Sequence, residues 1–279
     1  MNTWILLCLA LLFSGVIGEA KASQDYNLLN TFRIPFPAFT QGFIYNNTNK
    51  WIIESTGLTG QSRIRVYTLN EDTQEASVAK RKFQNHNNEF GEGLTYLNGT
   101  YYQLTWMNKI IHLFDSNFKH LGSKPLPKEM KGSGWGITTD NHFLYATSGT
   151  DIIFKIDPET LLTVEEIKAL DTDGSPLRGL NECQIVDKDL YCNKWGSTII
   201  YKLNYKTGQC ITKYEMKPLL DKVVETMRKE ATEKGNSFRW SNYDHMNNVL
   251  NGIAFNPDKN TFYVTGKNWY YVFEVTFND

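Results

Sequence analysis

The sequence predicts an all-β protein, a five-bladed β-propeller with a helical insertion between blades four and five. From residue 39 onward the chain consists mostly of short alternating or β-branched runs separated by Asn, Asp and Gly, which is typical of strands and hairpins. Five of these runs open alike at a nearly regular spacing. Repeats of about 40 to 50 residues with three or four antiparallel strands each are typical of a β-propeller.

Each predicted blade contains at least three consecutive strands. The first strands open with FTQGFIY from Phe39, FGEGLTY from Phe90, GWGITT from Gly134, LNECQIV from Leu180 and LNGIAF from Leu250. Their spacing is about 44 to 51 residues, and about 70 before the last. The second strands contain WIIESTG, YYQLTW, FLYATSG, LYCNKW and FYVTGK. Third strands are predicted at 63–69, 109–114, 151–156, 198–203 and 270–275.

Two other segments complete the predicted ring. The strand-like segment 26–35 precedes the first repeat, and we expect it to supply the outer strand of the last blade. Residues 216–235 predict a helix, within an insertion at 216–248, whose apolar stripe docks on the propeller. The stripe consists of Leu219, Leu220, Val223, Val224 and Met227. Residues 23–279 are therefore expected to form a single domain.

The amino terminus predicts a signal peptide over residues 1–22. An apolar run at 4–17 is too short to span a membrane as a helix, and the small residues that follow it suit cleavage near Ser23. We expect entry into the secretory pathway, with a secreted or organelle-lumenal product. An uncleaved anchor is the alternative, because residues 1–3 carry no Lys or Arg. Asn46 and Asn98 begin glycosylation sequons in turn-like stretches, which agrees with export.

Composition and charge narrow the range of partners. The chain has 279 residues, 41% of them hydrophobic, which is enough to bury a sizeable core. The net charge is −1 and no long run of one sign occurs, so neither nucleic acid nor a membrane beyond the signal segment is predicted as a partner.

The cysteines predict one disulfide in the mature chain. Cys183 and Cys192 lie on two strands of one predicted hairpin, directly opposite each other, so a cross-strand disulfide is expected. Two buried thiols are the alternative, and Cys210 is expected to be free. A CxxC or Cys/His arrangement is absent from the sequence, so a structural zinc site is not predicted.

Candidate functional residues collect at one mouth of the central channel. In an antiparallel hairpin, the start of the first strand and the end of the second lie at the same end. First-strand starts contribute Gln41, Glu92, Trp135, Asn181 and Asn251, and second-strand ends contribute Gly57, Trp106, Gly149, Trp195 and Lys267. An aromatic-walled pocket with a few polar groups is the expected form of a small-ligand site.

Glu92 stands out among these residues because it lies between two glycines and follows Phe90. Glycine permits close approach of the backbone, and the neighbouring ring makes the surroundings of the carboxylate partly apolar. A tight strand entry with a solvated glutamate is the structural alternative.

The ordered set of motifs resembles one enzyme family over nearly the whole mature chain. FTQG, ESTG, FGEG, QLTW, GWG, LNE, NxW, LNGIA and TGK resemble, in this order, the glutaminyl cyclases of plant and bacterial type, the glutamine cyclotransferases. The resemblance implies a five-bladed propeller that converts an amino-terminal glutamine of peptides or proteins into pyroglutamate and releases ammonia. It also implies a fold and mechanism different from those of the zinc-dependent animal cyclases.

The resemblance extends to individual positions. Glu92 matches the family's proton-transferring carboxylate. The family's pocket positions are matched by Phe39, Gln41 and Phe90, and its aromatic walls are matched by Trp106, Trp135 and Trp195. Its polar anchors are matched by Asn181 and Lys267. No cofactor is expected for catalysis, a structural calcium ion is left open, and a monomer is expected.

These residue types suggest a mechanism by general acid and base catalysis. A substrate α-amine with a pKa of about 7.7 to 8.0 is mostly protonated at neutral pH, so its attack on the γ-carboxamide needs a base. Glu92 would accept the proton and return it to the leaving nitrogen, which requires a pKa raised toward about 6 to 7. Lys267 or Asn181 would donate to the developing oxyanion.

Other interpretations of the same residues remain open. The tryptophans could fill the core, and Lys267 could lie on the surface. Asn181 and Asn251 could cap turns, which is the better explanation for Asn251, and Glu182 is better explained as structural. A calcium-dependent propeller hydrolase or lactonase could use Glu92, Asn181 and Asn251 as oxygen ligands. A non-catalytic propeller could bind glycans or peptide ends at the aromatic mouth.

Overall fold

A computed structural model describes residues 25–237, 244 and 247–278 of the chain. The predicted signal peptide at 1–22, and residues 238–243 and 245–246 of the predicted insertion, lie outside these residues. The described strands form five sheets, antiparallel apart from one short parallel pairing in the fifth, which confirms the predicted five-bladed β-propeller.

The first four blades each contain four antiparallel strands, which are consecutive in the chain in blades two to four. Blade one consists of β2 (Thr40–Asn46), β3 (Trp51–Thr56), β4 (Arg63–Tyr67) and β7 (Lys80–Gln84). Blade two consists of β8 (Gly91–Leu97), β9 (Thr100–Thr105), β10 (Ile110–Asp115) and β11 (His120–Pro125). Blade three consists of β12 (Ile137–Thr139), β13 (Leu144–Ala146), β14 (Ile152–Ile156) and β15 (Thr163–Lys168). Blade four consists of β16 (Leu180–Val186), β17 (Asp189–Lys194), β18 (Ile199–Asn204) and β19 (Cys210–Glu215).

The fifth blade closes the ring with strands from both ends of the described chain. Its sheet has the order β20 (Leu250–Asn256), β21 (Thr261–Gly266), β22 (Tyr271–Phe277), β1 (Tyr26–Arg33), β6 (Glu75–Ala76) and β5 (Leu69–Asn70). β1 pairs antiparallel with β22, from Tyr26 opposite Phe277 to Arg33 opposite Tyr271. The predicted closure is confirmed. The short β5–β6 hairpin, which leaves blade one, adds to the same sheet and links the two blades.

The core is divided among the gaps between neighbouring blades. Five clusters of buried side chains each draw mainly on two adjacent blades, as Ile53 of blade one does with Leu94 of blade two. Burying a Leu, Ile or Val side chain contributes about 1.5 to 3 kcal/mol. Because both faces of an inner strand contact other blades, β3 and β9 are almost completely buried. The blades therefore stabilise one another, and none has a core of its own.

The inner strands lose their regular pairing where they begin. The pairing register shifts between Thr40 and Gly42 in blade one, and between Gly91 and Leu94 in blade two. Equivalent shifts occur across residues 180–183 of blade four and 250–253 of blade five. A β-bulge re-aims the extra residue and is common next to active sites. The bulged positions include Gln41, Glu92, Asn181 and Asn251.

Glycines beside the bulges bring the inner strands close together around the axis. A side chain at Gly136 would lie 1.9 Å from the backbone oxygen of Asn181, and one at Gly93 would lie 2.5 Å from that of Trp135. Blade four has Glu182 at the equivalent position, after Asn181. The motif glycines are therefore packing residues, and Glu182 is an exception that fills the centre of the ring.

The predicted helix is present as α1 (Lys217–Glu233), and a 3₁₀ turn forms at Lys128–Met130. Leu219, Val223 and Val224 are buried, in agreement with the predicted docking of the apolar stripe. On its outer side, Glu230 pairs with Arg33 of β1. Of the helices described, none is long and apolar enough to cross a membrane.

The predicted disulfide joins Cys183 and Cys192, which lie directly opposite each other on β16 and β17 with their Cα atoms 4.2 Å apart. Cys210 is a buried free thiol, as predicted. The sequon residue Asn98 is exposed in the turn between β8 and β9, and Asn46 ends β2. Glycosylation at these two asparagines stays a prediction.

Replacing both cysteines of the bridge by alanine is expected to reduce the free energy of unfolding by about 2.5 kcal/mol, because the bridge closes a short loop in the unfolded chain. Urea unfolding of the oxidised protein and the double variant measures the difference. Cys210→Ala is the matched control, since it removes a buried thiol and leaves the bridge. An equal loss in the control would attribute the effect to core packing.

Candidate active site

A cavity of about 300 Å³ opens at the mouth where the bulged strands begin. Its lining contains every side chain predicted for catalysis or substrate binding, together with two that were not predicted. The lining residues are Phe39, Gln41, Leu58, Phe90, Glu92, Trp106, Trp135, Asn181, Trp195, Asn247 and Lys267. The size falls at the lower end of the range for small-ligand sites.

Two groups of aromatic rings form the walls. The Phe90 ring contacts the rings of Phe39 and Trp106 edge to face, with centroids 5.9 and 5.5 Å apart. Trp135 and Trp195 meet edge to face across the cavity rim, with centroids 6.2 Å apart. Edge-to-face pairs stabilise one another beyond the area they bury. The walls are therefore held in place before any ligand binds.

The two mouth glycines lie beneath these rings. A side chain at Gly57 would collide with the rings of Phe90 and Phe39, and one at Gly149 would collide with that of Trp135. They allow the rings to approach the backbone and do not line the cavity themselves. This packing explains why these second-strand ends carry no side chain.

Glu92 places the carboxylate of the cavity in an almost dry environment. The residue is 4% exposed, and its Oε1 accepts a hydrogen bond from Nε2 of Gln41 at 3.0 Å. Its backbone oxygen accepts a hydrogen bond from the Ser55 hydroxyl, which fixes the bulge. Burial raises the pKa of Glu92 well above its usual range, and the Lys267 ammonium partly offsets this rise.

Lys267 brings a buried cation to the same cavity. Its Nζ lies 4.8 Å from the centre of the Phe39 ring, a cation–π contact, and the residue is 4% exposed. Burial lowers the pKa of Lys267, and the nearby Glu92 carboxylate opposes that change. Lys267 forms no ion pair within 4 Å among the residues that the structure describes. The structural alternative, a surface lysine, is therefore wrong.

A chain of amides orients Asn181 at the cavity floor. Nδ2 of Asn251 donates to the backbone oxygen of Thr40, so Oδ1 of Asn251 is left to accept. That oxygen accepts from Nδ2 of Asn181 at 2.7 Å and from Nδ2 of Asn193 at 3.1 Å. Oδ1 of Asn181 is buried without a hydrogen-bond partner. Asn181 therefore lines the cavity and keeps one buried hydrogen-bond acceptor unpaired.

This network corrects the interpretation of Asn251 as a turn cap. Asn251 is completely buried, and its side chain connects blades one, four and five beneath the cavity. The turn interpretation failed because asparagine at a strand start commonly bonds its own turn, whereas here the bulge turns the side chain toward the axis.

Glu182 is structural, as the sequence indicated. Its carboxylate accepts hydrogen bonds from the backbone nitrogens of Phe43 at 3.2 Å and Ile253 at 2.9 Å. It thereby connects blade four with blades one and five across the axis. Burial raises the pKa of Glu182 well above its usual range, with those two hydrogen bonds opposing the rise.

Leu58 and Asn247 were not predicted to line the cavity. Leu58 follows Gly57 and has a left-handed backbone (φ 75°), which is uncommon for a leucine. Asn247 comes from the end of the insertion, where the repeat comparison supplies no equivalent residue. The position of Leu58 after the ESTG motif was an available signal, whereas Asn247 depends on the path of the insertion.

Within 25–237, 244 and 247–278, no group of three or more His, Cys, Asp or Glu side chains converges as a metal site. The cavity offers one carboxylate, from Glu92, and an ammonium beside it.

Known proteins resemble this chain in sequence and in structure. A family model described as glutamine cyclotransferase matches residues 5–277. A glutaminyl-peptide cyclotransferase of Arabidopsis thaliana is 30% identical over 239 residues, covering 85% of this chain and 67% of the plant protein.

Two solved structures share the fold. The crystal structure of Myxococcus xanthus glutaminyl cyclase has a TM-score of 0.70 at 23% identity and covers 90% of this chain and 95% of its own. A luciferin-regenerating enzyme covers the same shares with a TM-score of 0.52 at 9% identity.

Proposed function

Because the chain belongs to the glutamine cyclotransferase family, we propose that it converts the amino-terminal glutamine of peptides or proteins into pyroglutamate and releases ammonia. One observation carries the proposal for the site: a buried carboxylate of raised pKa shares an aromatic cavity with a buried ammonium. Such a pair can move protons and stabilise negative charge at neutral pH.

The cavity suits a glutaminyl residue folded back on itself. The apolar methylene groups of the substrate side chain pack between the two ring groups, Phe39 with Phe90 and Trp106, and Trp135 with Trp195. Oδ1 of Asn181, which lacks a partner, accepts a hydrogen bond from the substrate's amine or carboxamide nitrogen. Holding the amine against its own carboxamide supplies the proximity that ring closure needs.

Glu92 carries the protons between the two substrate nitrogens. The α-ammonium first loses one proton to solvent, which leaves the neutral amine that attacks. Glu92 then moves a second proton from the amine nitrogen to the leaving carboxamide nitrogen, which departs as ammonia and takes up a proton in solution. As the amine nitrogen bonds to the γ-carbonyl carbon, the Glu92 carboxylate accepts a proton from it. The resulting acid protonates the leaving nitrogen as its bond to carbon breaks. A raised pKa favours both steps, because donor and acceptor are then closely matched.

Lys267 stabilises the oxyanion of the tetrahedral intermediate. The sequence left open whether Lys267 or Asn181 would donate to it. Nδ2 of Asn181 is held by Asn251, and its free atom is the oxygen, which repels an oxyanion. The Lys267 ammonium has no competing ion pair in the described chain and is desolvated, which strengthens its interaction with developing charge.

Ammonia release from synthetic glutaminyl peptides tests the proposal. We expect one molecule of ammonia to be released per glutaminyl peptide. We expect no release from peptides that begin with asparagine, because the ring that asparagine would form is one atom smaller. We also expect activity to persist in strong zinc or calcium chelators, because the proposed steps use protein groups alone. Prompt loss of activity, restored by a metal with the fold intact, would contradict this mechanism.

The alternative functions are less well supported by the same geometry. A calcium ion coordinated by Asn251 would have to compete with the two amide groups that already donate to its Oδ1. A module that only binds glycans or peptide ends would gain nothing from a buried carboxylate, whose desolvation is costly. Chelator sensitivity tests the first alternative, and absence of ammonia release with peptide binding intact would favour the second.

We further propose that residues 1–22 direct the chain into the secretory pathway and are removed, and that the glycan acceptors are Asn46 and Asn98. The disulfide between Cys183 and Cys192 supports an oxidising compartment. Amino-terminal sequencing and glycosidase treatment of the protein from eukaryotic cells measure both. A product that retains residue 1 would favour the anchored alternative.

Trp106→Ala is expected to raise KM for a glutaminyl peptide by about tenfold, because the indole buttresses Phe90 and covers the substrate side chain. Steady-state ammonia release measures the change. Tyr96→Ala is the matched control, since Tyr96 is a partly exposed aromatic residue of the same blade and does not line the cavity. A similar KM effect in the control would show a general loss of packing.

A further inference from the structure

A second concavity of about 260 Å³ lies beside the mouth, on the outer half of blade one. We define it as the arginine groove, and its lining residues are Phe36, Arg63, Arg65, Val78, Ala79 and Arg81. Three of the six carry guanidinium groups, and none is acidic. Phe36 and Val78 are exposed apolar residues on its rim.

The three arginines occupy one face of two paired strands. Arg63 and Arg65 are two residues apart on β4, so their side chains point to the same face, and Arg81 of β7 lies directly opposite Arg65. Like charges at directly opposite positions destabilise a sheet. Repulsion between paired arginines is expected at a functional site, where a negatively charged ligand offsets it.

The neighbouring protein groups neutralise one of these charges. Nε of Arg65 donates to Oε2 of Glu54 at 2.6 Å, in an ion pair that is almost fully buried. Neither Arg63 nor Arg81 has an ion pair among the described residues. Two guanidinium groups therefore remain available to an anion, and a guanidinium pairs with a carboxylate through two parallel hydrogen bonds.

The groove is connected to the active-site cavity through the segment 36–40. Nη1 of Arg65 donates to the backbone oxygen of Phe36, while Glu54 accepts from the hydroxyl of Thr40. Phe36 lines the groove and Phe39 lines the cavity. Three extended residues span at most about 11 Å, so the two sites lie within reach of one short peptide.

We propose that the arginine groove is a substrate subsite that binds an acidic side chain about two to four residues after the amino-terminal glutamine. The inference rests on the proposed function, since it takes the glutamine to occupy the cavity. The peptide then leaves the mouth over Phe39 and Phe36, and its carboxylate pairs with Arg63 and Arg81. The enzyme selects acidic glutaminyl peptides over basic ones.

Three glutaminyl peptides of equal length test the subsite, one with glutamates at positions three to five, one with alanines and one with lysines. We expect kcat/KM for the glutamate peptide to exceed that for the lysine peptide by about five- to tenfold at low salt, through KM. Raising the ionic strength should reduce the ratio. The double variant Arg63→Glu/Arg81→Glu is expected to prefer the lysine peptide over the glutamate peptide. The ratio of the two kcat/KM values does not depend on the fraction of folded protein, because the same enzyme preparation is used for both peptides.

Arg178→Glu is the control, because Arg178 is an exposed arginine outside the groove and its reversal changes the net charge in the same sense. The ratio of kcat/KM for the glutamate peptide to kcat/KM for the lysine peptide should stay close to that of the wild type. Equal rates for the three peptides, or an equal response to the groove and control variants, would overturn the subsite. Absence of ammonia release from all three peptides would instead overturn the proposed function.

Discussion

Glu92→Gln is expected to abolish nearly all ammonia release while the fold is retained. Glutamine keeps the shape of the side chain and can still accept the hydrogen bond from Gln41, but it cannot accept and return a proton. General acid and base contributions are typically about 10²- to 10⁴-fold in rate. Single-turnover ammonia release at saturating peptide measures the loss. Near-normal release with unchanged unfolding would show that Glu92 is not the base.

The same variant is expected to be more stable than the wild type at neutral pH. Burial raises the pKa of Glu92 above 4.5, so the folded state holds its proton more strongly than the unfolded state does. The contribution of the Glu92 carboxyl to the free energy of unfolding is therefore fully present below about pH 4. It is lost as the pH rises through the raised pKa of the folded state. Urea unfolding at pH 4 and pH 8 measures the difference. Glu159→Gln, an exposed control, should show no comparable gain at pH 8.

Lys267→Met is expected to have the second largest effect, a loss of about 10²- to 10³-fold in kcat. Methionine retains an apolar stem beside Phe39 but removes the group that donates to the oxyanion. The measurement is kcat for ammonia release, with the melting temperature as a check on folding. An unchanged kcat would mean that another donor stabilises the intermediate.

The pH dependence of this variant separates its two roles. The Lys267 charge lowers the pKa of Glu92, so its removal should raise that pKa further. Because activity requires the carboxylate form, the acid limb of the kcat/KM profile should move to higher pH. Lys267→Arg keeps the charge and should move the limb less. A limb that stays in place would show that Lys267 acts without influencing Glu92.

The blades could be predicted because each is one repeat of the same three-strand pattern. The outer strands were harder, since β7 reads KRKFQ and β11 reads HLGSKP, and exposed strands lack an alternating apolar pattern. The β5–β6 hairpin escaped prediction because its two-residue strands join the sheet of another blade through Arg33 and Glu75. Such a contact depends on the closed ring and has no local signal.

Hairpin geometry was sufficient to predict that the site residues lie at one mouth of the channel. It did not determine the orientation of their side chains. The sequence could not show that a bulge directs Asn251 toward the axis, or that its amide then orients Asn181 as an acceptor. Asn247 lines the cavity only because the insertion returns to the mouth before β20. These features depend on backbone irregularity and on contacts between blades, which strand patterns do not encode.

The pairing of β1 with β22 has a consequence for how the chain folds. Residues 27 and 276 are hydrogen-bonded partners although 249 positions separate them, and contacts of such long range slow folding. Four blades can assemble as the chain emerges during synthesis, yet β22 keeps an unpaired, aggregation-prone edge until β1 docks on it. Ring closure is therefore expected to be a late kinetic step in folding.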